Sequence, residues 1–158
     1  MDIKINGEEG RFKFRVCGIL ACQDKYLVVK INRNEFYCLP GGHVELNEDT
    51  NQAVLREMKE ELGFEVKIKN LIAINQNFFK TPEGKPFHEL GVYYIVEAQN
   101  EEDITKHDYE REELDKGELK HLEFKWVTQK EMKEISFQPK FIPEILNRTS
   151  PIINVTRD

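Results

Sequence analysis

The chain has 158 residues, 39% of them hydrophobic and 33% charged, with a net charge of −6. That size predicts a single domain over residues 1–158 with enough apolar content for a core. No apolar run approaches the roughly 18 residues needed to cross a membrane, and the acidic balance argues against a nucleic-acid backbone or an anionic membrane as the main target.

In chain order, Arg11–Leu20 alternates Phe12, Phe14, Val16 and Gly18 against Arg11, Lys13 and Arg15, the pattern of a half-buried strand. Gln23-Asp24-Lys25 reads as a turn and Tyr26–Ile31 as a second strand. A polar loop, Asn32–Glu35, leads to the short apolar segment Phe36–Leu39, which Pro40-Gly41-Gly42 interrupts. Helical spacing takes over from Glu48 to Leu62, where Val54, Met58 and Leu62 recur every four residues with Leu55 beside them. Asn47, Asp49 and Thr50 are candidate N-caps, and Gly63 suits the residue after the helix.

Further strands are expected over Val66–Ile74, extending toward Phe79, over Leu90–Val96 and over Leu122–Val127. Thr81–Lys85 forms a turn between the first two, and Gln99–Leu119 reads as a charged excursion, either loop or short helix. Thr128–Ile135 and a last short helix to about Leu146, with Pro143 in its first turn, precede a terminus expected to fray. Strands mixed with a central and a C-terminal helix give an α/β or α+β domain with a mixed sheet. Cys17, Cys22 and Cys38 are scattered and odd in number, and the first residues lack an apolar signal core. Buried reduced thiols in a cytoplasmic protein are the expectation.

The charge is uneven: Glu101–Lys120 holds nine acids against four bases. An acidic protein that handles phosphates needs a metal ion as intermediary. Glu57, Glu60 and Glu61 stand at i, i+3 and i+4 and share one face of a helix, with Arg56 placed to pair with Glu60. A fixed triplet of carboxylates is a hard-oxygen site for Mg²⁺ or Mn²⁺. The two glycines before it let bare backbone approach a metal or phosphate. Taken alone, an acid-rich helix is more often a solvated face and a Gly-Gly pair a turn.

Together, Gly42, Glu48, Arg56, Glu57, Met58, Glu60, Glu61, Gly63 and Phe64 match every defined position of the Nudix box, and the chain resembles the Nudix hydrolase family. Tyr37–Gly42 resembles the family's entry into the box, and Phe124–Val127 resembles the strand that follows its long loop. The resemblance implies an α/β/α sandwich around a mixed β-sheet. It implies Glu57, Glu60 and Glu61 as metal ligands and catalytic residues, joined by the Gly42 carbonyl. Arg56 and Glu48 correspond to positions that orient those glutamates and brace loop against helix. The activity implied is Mg²⁺-dependent hydrolysis of a nucleoside diphosphate linked to another moiety, with a nucleoside triphosphate, canonical or oxidised, as the default substrate.

ADP-ribose or dinucleoside-polyphosphate cleavage is the nearest alternative, since Phe78–Pro82 fits neither family marker cleanly. A nucleotide-sensing domain without catalysis and an acidic calcium-binding module are the competitors from other classes. The first needs no full glutamate set, and the second leaves Arg56 and the glycines unexplained. Among other residues, Arg33 and Phe36 are candidates to grip phosphate and base, with Tyr37 ranked below them. His43 reads as an ordinary histidine, Trp126 as core and Glu89 as a minor candidate ligand or base. The general base is sought at Glu57 or among Glu110, Glu112, Glu113 and Glu118. The partner expected is a small nucleotide, and a homodimer is compatible with the sequence.

Overall fold

Alternation in the first long apolar run becomes a division between two cores. In the computed structural model, which describes residues 1–158, β1 (Lys4–Asn6) is followed by the twelve-residue strand β2 (Arg11–Cys22). Val16 and Leu20 of β2 enter one core with Ala53, Val54, Met58 and Leu62, while Cys17 and Ile19 enter another with Met132, Ile142 and Ile145. Successive side chains of a strand point to opposite faces, so β2 supplies both cores.

The remaining elements are β3 (Lys25–Ile31), β4 (Gly41–His43), α1 (Thr50–Leu62), β5 (Val66–Lys80), β6 (Pro86–Ala98), β7 (Tyr109–Asp115), β8 (Glu118–Thr128), α2 (Gln129–Glu134), α3 (Ile142–Ile145) and β9 (Ile152–Arg157). The sheet runs β7-β8-β3-β2-β6-β5-β9, with β1 and β4 also on β2. β2–β6 and β5–β9 are parallel and the other pairs antiparallel, so the sheet is mixed. Helix α1 covers one face and α2 with α3 the other, which gives the expected α/β/α order. No helix is long and apolar enough to cross a membrane.

One local departure in this sheet makes room for a site. β3 pairs with β2 only at Ala21–Tyr26 and Cys22–Lys25, then leaves it to follow β8. β4 fills the gap against Arg15–Cys17 of β2. Asp49 caps α1 in a reciprocal capping box with Gln52, and Gly63 closes it in the left-handed region at φ 83°. A Cβ on Gly18 would stand 2.6 Å from Met58 Sδ, so glycine at this point lets the helix lie close on the strand.

Two sequence expectations are corrected. The excursion Gln99–Leu119 is neither simple loop nor α-helix. After a 3-10 turn at Glu101–Asp103 it forms β7, paired with β8 through the two-residue turn Lys116-Gly117, both residues with positive φ. The terminus does not fray. Ile152–Arg157 runs parallel to Ala73–Phe78 as β9, tied to Asn75 by the Asn154 amide at 3.0 Å and the Thr156 hydroxyl at 3.4 Å. Tyr37, half-buried at a bridge to Phe137, packs against the second core with the Lys30 ammonium 4.6 Å from its ring centre.

Val54 is fully buried under the sheet. Val54→Asp should place an unpaired carboxylate in that core and cost at least about 3 kcal/mol of stability. A urea titration followed by circular dichroism checks this through a large drop in the unfolding midpoint.

Candidate active site

Bare backbone on β4 and charged side chains on α1 meet at the gap between β2 and β3. A Cβ on Gly41 would overlap the Val16 carbonyl, and one on Gly42 would overlap the Glu57 carboxylate. Only glycine permits this approach. The Gly41 N–H donates to Glu61 Oε2 at 3.3 Å. The glutamates of the triplet share a cavity but not an environment: Glu61 is 1% exposed, Glu57 half-buried and Glu60 open to solvent.

Arg56 holds this arrangement together. Its Nε and one terminal nitrogen donate to the two oxygens of Glu48, at 2.7 and 2.8 Å. It also donates to the His43 carbonyl at 3.0 Å, to Glu57 at 2.8 Å and, more loosely, to Glu60 at 3.4 Å. A guanidinium fork suits such planar bidentate pairing. Glu48 in turn accepts from the Glu45 N–H at 3.0 Å, so loop and helix are braced through one side chain.

The opposite wall comes from β7. Glu113 is buried and faces Glu61 across the cavity, and its Oε2 has no hydrogen-bond partner. Arg111, on the same face of β7, donates to the Glu60 carbonyl at 2.7 Å and to the Glu61 carbonyl, tying the hairpin to the end of α1. Cations favour that end of a helix. The cavity measures about 560 Å³ and also exposes Lys13, Arg15, Asp115 and Lys120.

Burial governs the electrostatics. It raises the Glu61 carboxyl to about 8, with Glu113 and then Glu57 adding repulsion. It raises Glu57 to about 7 against the pull of Arg56, and Glu113 also lies above its usual range through burial. Arg56 pairs with Glu48 and Glu57, Arg111 with helix carbonyls and Lys120 with Asp115 at 2.7 Å, and none of the three forms an ion pair with Glu61 or Glu113. Glu61 and Glu113 are thus uncompensated, and Glu113 keeps an unused buried oxygen. This donor set fits a divalent hard cation held by Glu57, Glu60, Glu61 and the Gly42 carbonyl, with Glu113 opposite.

The remaining sequence candidates separate in space. Phe36 lines a second cavity of about 410 Å³, which shares Arg15 and Ile31 with the first. Arg33 is exposed at φ 58° and lines neither cavity. His43 lies in the carboxylate cavity, lowered to about 4 by burial and then by Arg15. Trp126 is buried, its indole N–H donating to the Thr105 carbonyl at 2.8 Å. Glu89 faces the second cavity.

Of the four acids offered by the excursion, Glu113 is the buried one. Glu110 and Glu112 bind His121, Glu110 in a cluster with Glu123 and Glu112 at the edge of the cavity. Arg15 and Arg111 had no signal in the sequence, since each matters only through strand pairing.

The family model described as NUDIX domain matches residues 11–145, and the chain belongs to this family. It is 35% identical over 86 residues to an ADP-ribose pyrophosphatase of Methanocaldococcus jannaschii, covering 52% of this chain and 49% of that protein. The chain spans about half the length of the curated relatives it matches, 49% and 48%. The MutT protein of Bacillus halodurans superposes with a TM-score of 0.63 at 19% identity, over 92% of this chain and 89% of that one. The C. elegans Ap4A hydrolase does so with a TM-score of 0.56 at 19% identity, over 85% and 93%. At these identities the two structures show a common fold.

The raised carboxyls have a consequence for the metal-free protein. Glu61 titrates near 4.5 when unfolded and near 8 when folded, so the unfolded chain releases its proton first. Stability is complete below the lower value and is lost as pH rises through the higher one. In EDTA, the melting temperature should fall between about pH 5 and pH 8. Glu61→Gln should flatten that fall and raise the melting temperature at pH 8, as scanning calorimetry across this range can determine.

Proposed function

We propose that this protein is a divalent-metal-dependent hydrolase that cleaves the phosphoanhydride bond of a nucleoside diphosphate linked to a further group. The observation that carries this reading is the pair of buried carboxyls without ion-pair partners, Glu61 and Glu113, that share one open cavity with Glu57, which Arg56 holds. Ionising two buried carboxyls without partners is costly unless something cationic is bound there. A site that only recognised a nucleotide would not call for them.

Glu57, Glu60 and Glu61, with the Gly42 carbonyl, would hold Mg²⁺ or Mn²⁺. When bound there, such a cation would neutralise diphosphate charge and lower the pKa of an attacking water. The chain's own residues do the rest. Arg56 fixes the Glu57 carboxylate and clamps the glycine loop through Glu48 and the His43 carbonyl. Glu113, with a free oxygen and a raised pKa, takes the proton of that water. Lys13 lines the carboxylate cavity and meets the phosphate chain, and Arg15 stands where the two cavities join. Phe36 lies in that second cavity beside the nucleoside.

A nucleoside diphosphate unit is common to the substrates stated in the names ADP-ribose pyrophosphatase and Ap4A hydrolase, which supports the class. Three free cysteines, with Cys17 and Cys38 thiols pushed by burial to about 12, suit the reducing cytoplasm.

A panel of nucleoside triphosphates, nucleoside diphosphate sugars and dinucleoside polyphosphates, assayed with Mg²⁺ and with EDTA, tests the reading. Turnover should require the metal. Glu61→Gln should lose at least about 100-fold in kcat while keeping the fold. Glu113→Gln should lower kcat by about 100-fold with KM little changed, the loss of a group acting in the chemical step. No metal-dependent turnover on any member would reject the proposal.

A further inference from the structure

The second cavity, about 410 Å³, joins apolar and aromatic walls to a few buried polar groups. Phe36, Phe79 and Tyr93 supply rings. Gly91, opposite Arg15 in the β2–β6 register, leaves the sheet bare there, and a Cβ on it would stand 2.9 Å from the Tyr93 ring. Four polar residues lie on this face in neighbouring register. Lys13, Glu89 and Asn77 stand opposite one another on β2, β6 and β5, and Arg15 is two residues along β2 from Lys13.

Two of their atoms are buried with nothing to bind: Arg15 Nε, a donor, and Asn77 Oδ1, an acceptor. Glu89 is only loosely engaged by Arg15, at 4.0 Å. A buried donor and acceptor left unsatisfied in one cavity cost free energy that a complementary ligand recovers.

We infer that this cavity reads a purine by its edge and selects guanine over adenine. The inference rests on the hydrolase reading only in taking the ligand to be a nucleotide. Guanine presents adjacent acceptors, O6 and N7, which suit an arginine fork. Beside them its N1–H and N2 amino group are donors, which suit Glu89 and Asn77 Oδ1. Adenine opposes both: its N6 amino group would face Arg15, and its unprotonated N1 would face the Glu89 carboxylate. Uracil supplies one acceptor and one donor in the right order but has no amino group or N7 and fills less of the cavity. The adenine in the names of matched proteins therefore does not carry over to this chain.

Titration calorimetry of the full chain with GMP, AMP and UMP in Mg²⁺ tests this, alongside hydrolysis of GDP-mannose and ADP-ribose. GMP should bind at least about tenfold tighter than AMP or UMP, the discrimination expected of one good bidentate contact. Glu89→Gln, nearly isosteric, should bring GMP within about threefold of AMP.

Equal binding, tighter AMP or UMP, or no binding of any of the three overturns the inference. So does a loss in Glu89→Gln that is the same for GMP and AMP, which would assign the group to the phosphates. A clear GMP preference without hydrolysis of any nucleotide would keep the base pocket and remove the hydrolase reading. Hydrolysis of both substrates with equal kcat/KM would do the reverse.

Discussion

The Glu61 carboxylate, buried at the end of α1 against the N–H of Gly41, is the constraint on which the rest of the site depends. A charge in that place is unfavourable by itself. It stays there because Val54, Met58 and Leu62 anchor the same helix in a continuous apolar core, so the carboxylate travels with the packing. The glycine pair follows from this, since any side chain at Gly41 or Gly42 would collide with β2 or with Glu57. The parting of β3 from β2 follows too, because β4 must enter between them to bring that backbone to the helix. Apolar packing thus holds in place carboxyls that would not stay buried by themselves.

Arg56 and Arg111 share the task of fixing the surroundings. Arg56 works from inside the helix, linking Glu48, Glu57 and the His43 carbonyl. Arg111 works from β7, an edge strand paired only with β8, and fastens that hairpin to the last carbonyls of α1. Edge strands are the less stable part of a sheet. The position of Glu113 consequently rests on a hairpin whose tie to the helix is one guanidinium. Any motion that loosens this tie changes the distance between Glu113 and Glu61, and with it the electrostatics of the whole cavity.

Arg15 lies between the two cavities. It reaches the carboxylate cavity on one side and the aromatic cavity on the other. The polar residues between the cavities come from three adjacent strands, β2, β6 and β5, whose register the parallel β2–β6 and antiparallel β5–β6 pairings set. The loop Asn32–Glu35 reaches the margin of the second cavity through Asn34 rather than through Arg33.

The helix, its caps and the glutamate spacing were legible in the sequence because they are local. Periodicity of 3.6, a capping residue and a terminal glycine are written within 15 residues, and the match to the family box lies in the same stretch. The mixture of strands and helices was legible as well, from strand-period and helix-period runs in order, while the three layers were what the family resemblance implied. What the tertiary structure decided is everything that depends on distant partners. β7 escaped notice because the face it turns inward carries Arg111, Glu113 and Asp115 toward a polar cavity, so no apolar alternation marks it. β9 pairs with β5 about 80 residues away, a contact that no local pattern encodes. The choice of Glu113 among four acids and the meeting of Arg15, Glu89 and Asn77 arise only when strand register sets which side chains share a face. Sequence spacing fixes neighbours along a helix, whereas across a sheet neighbours exist only once the strands have paired.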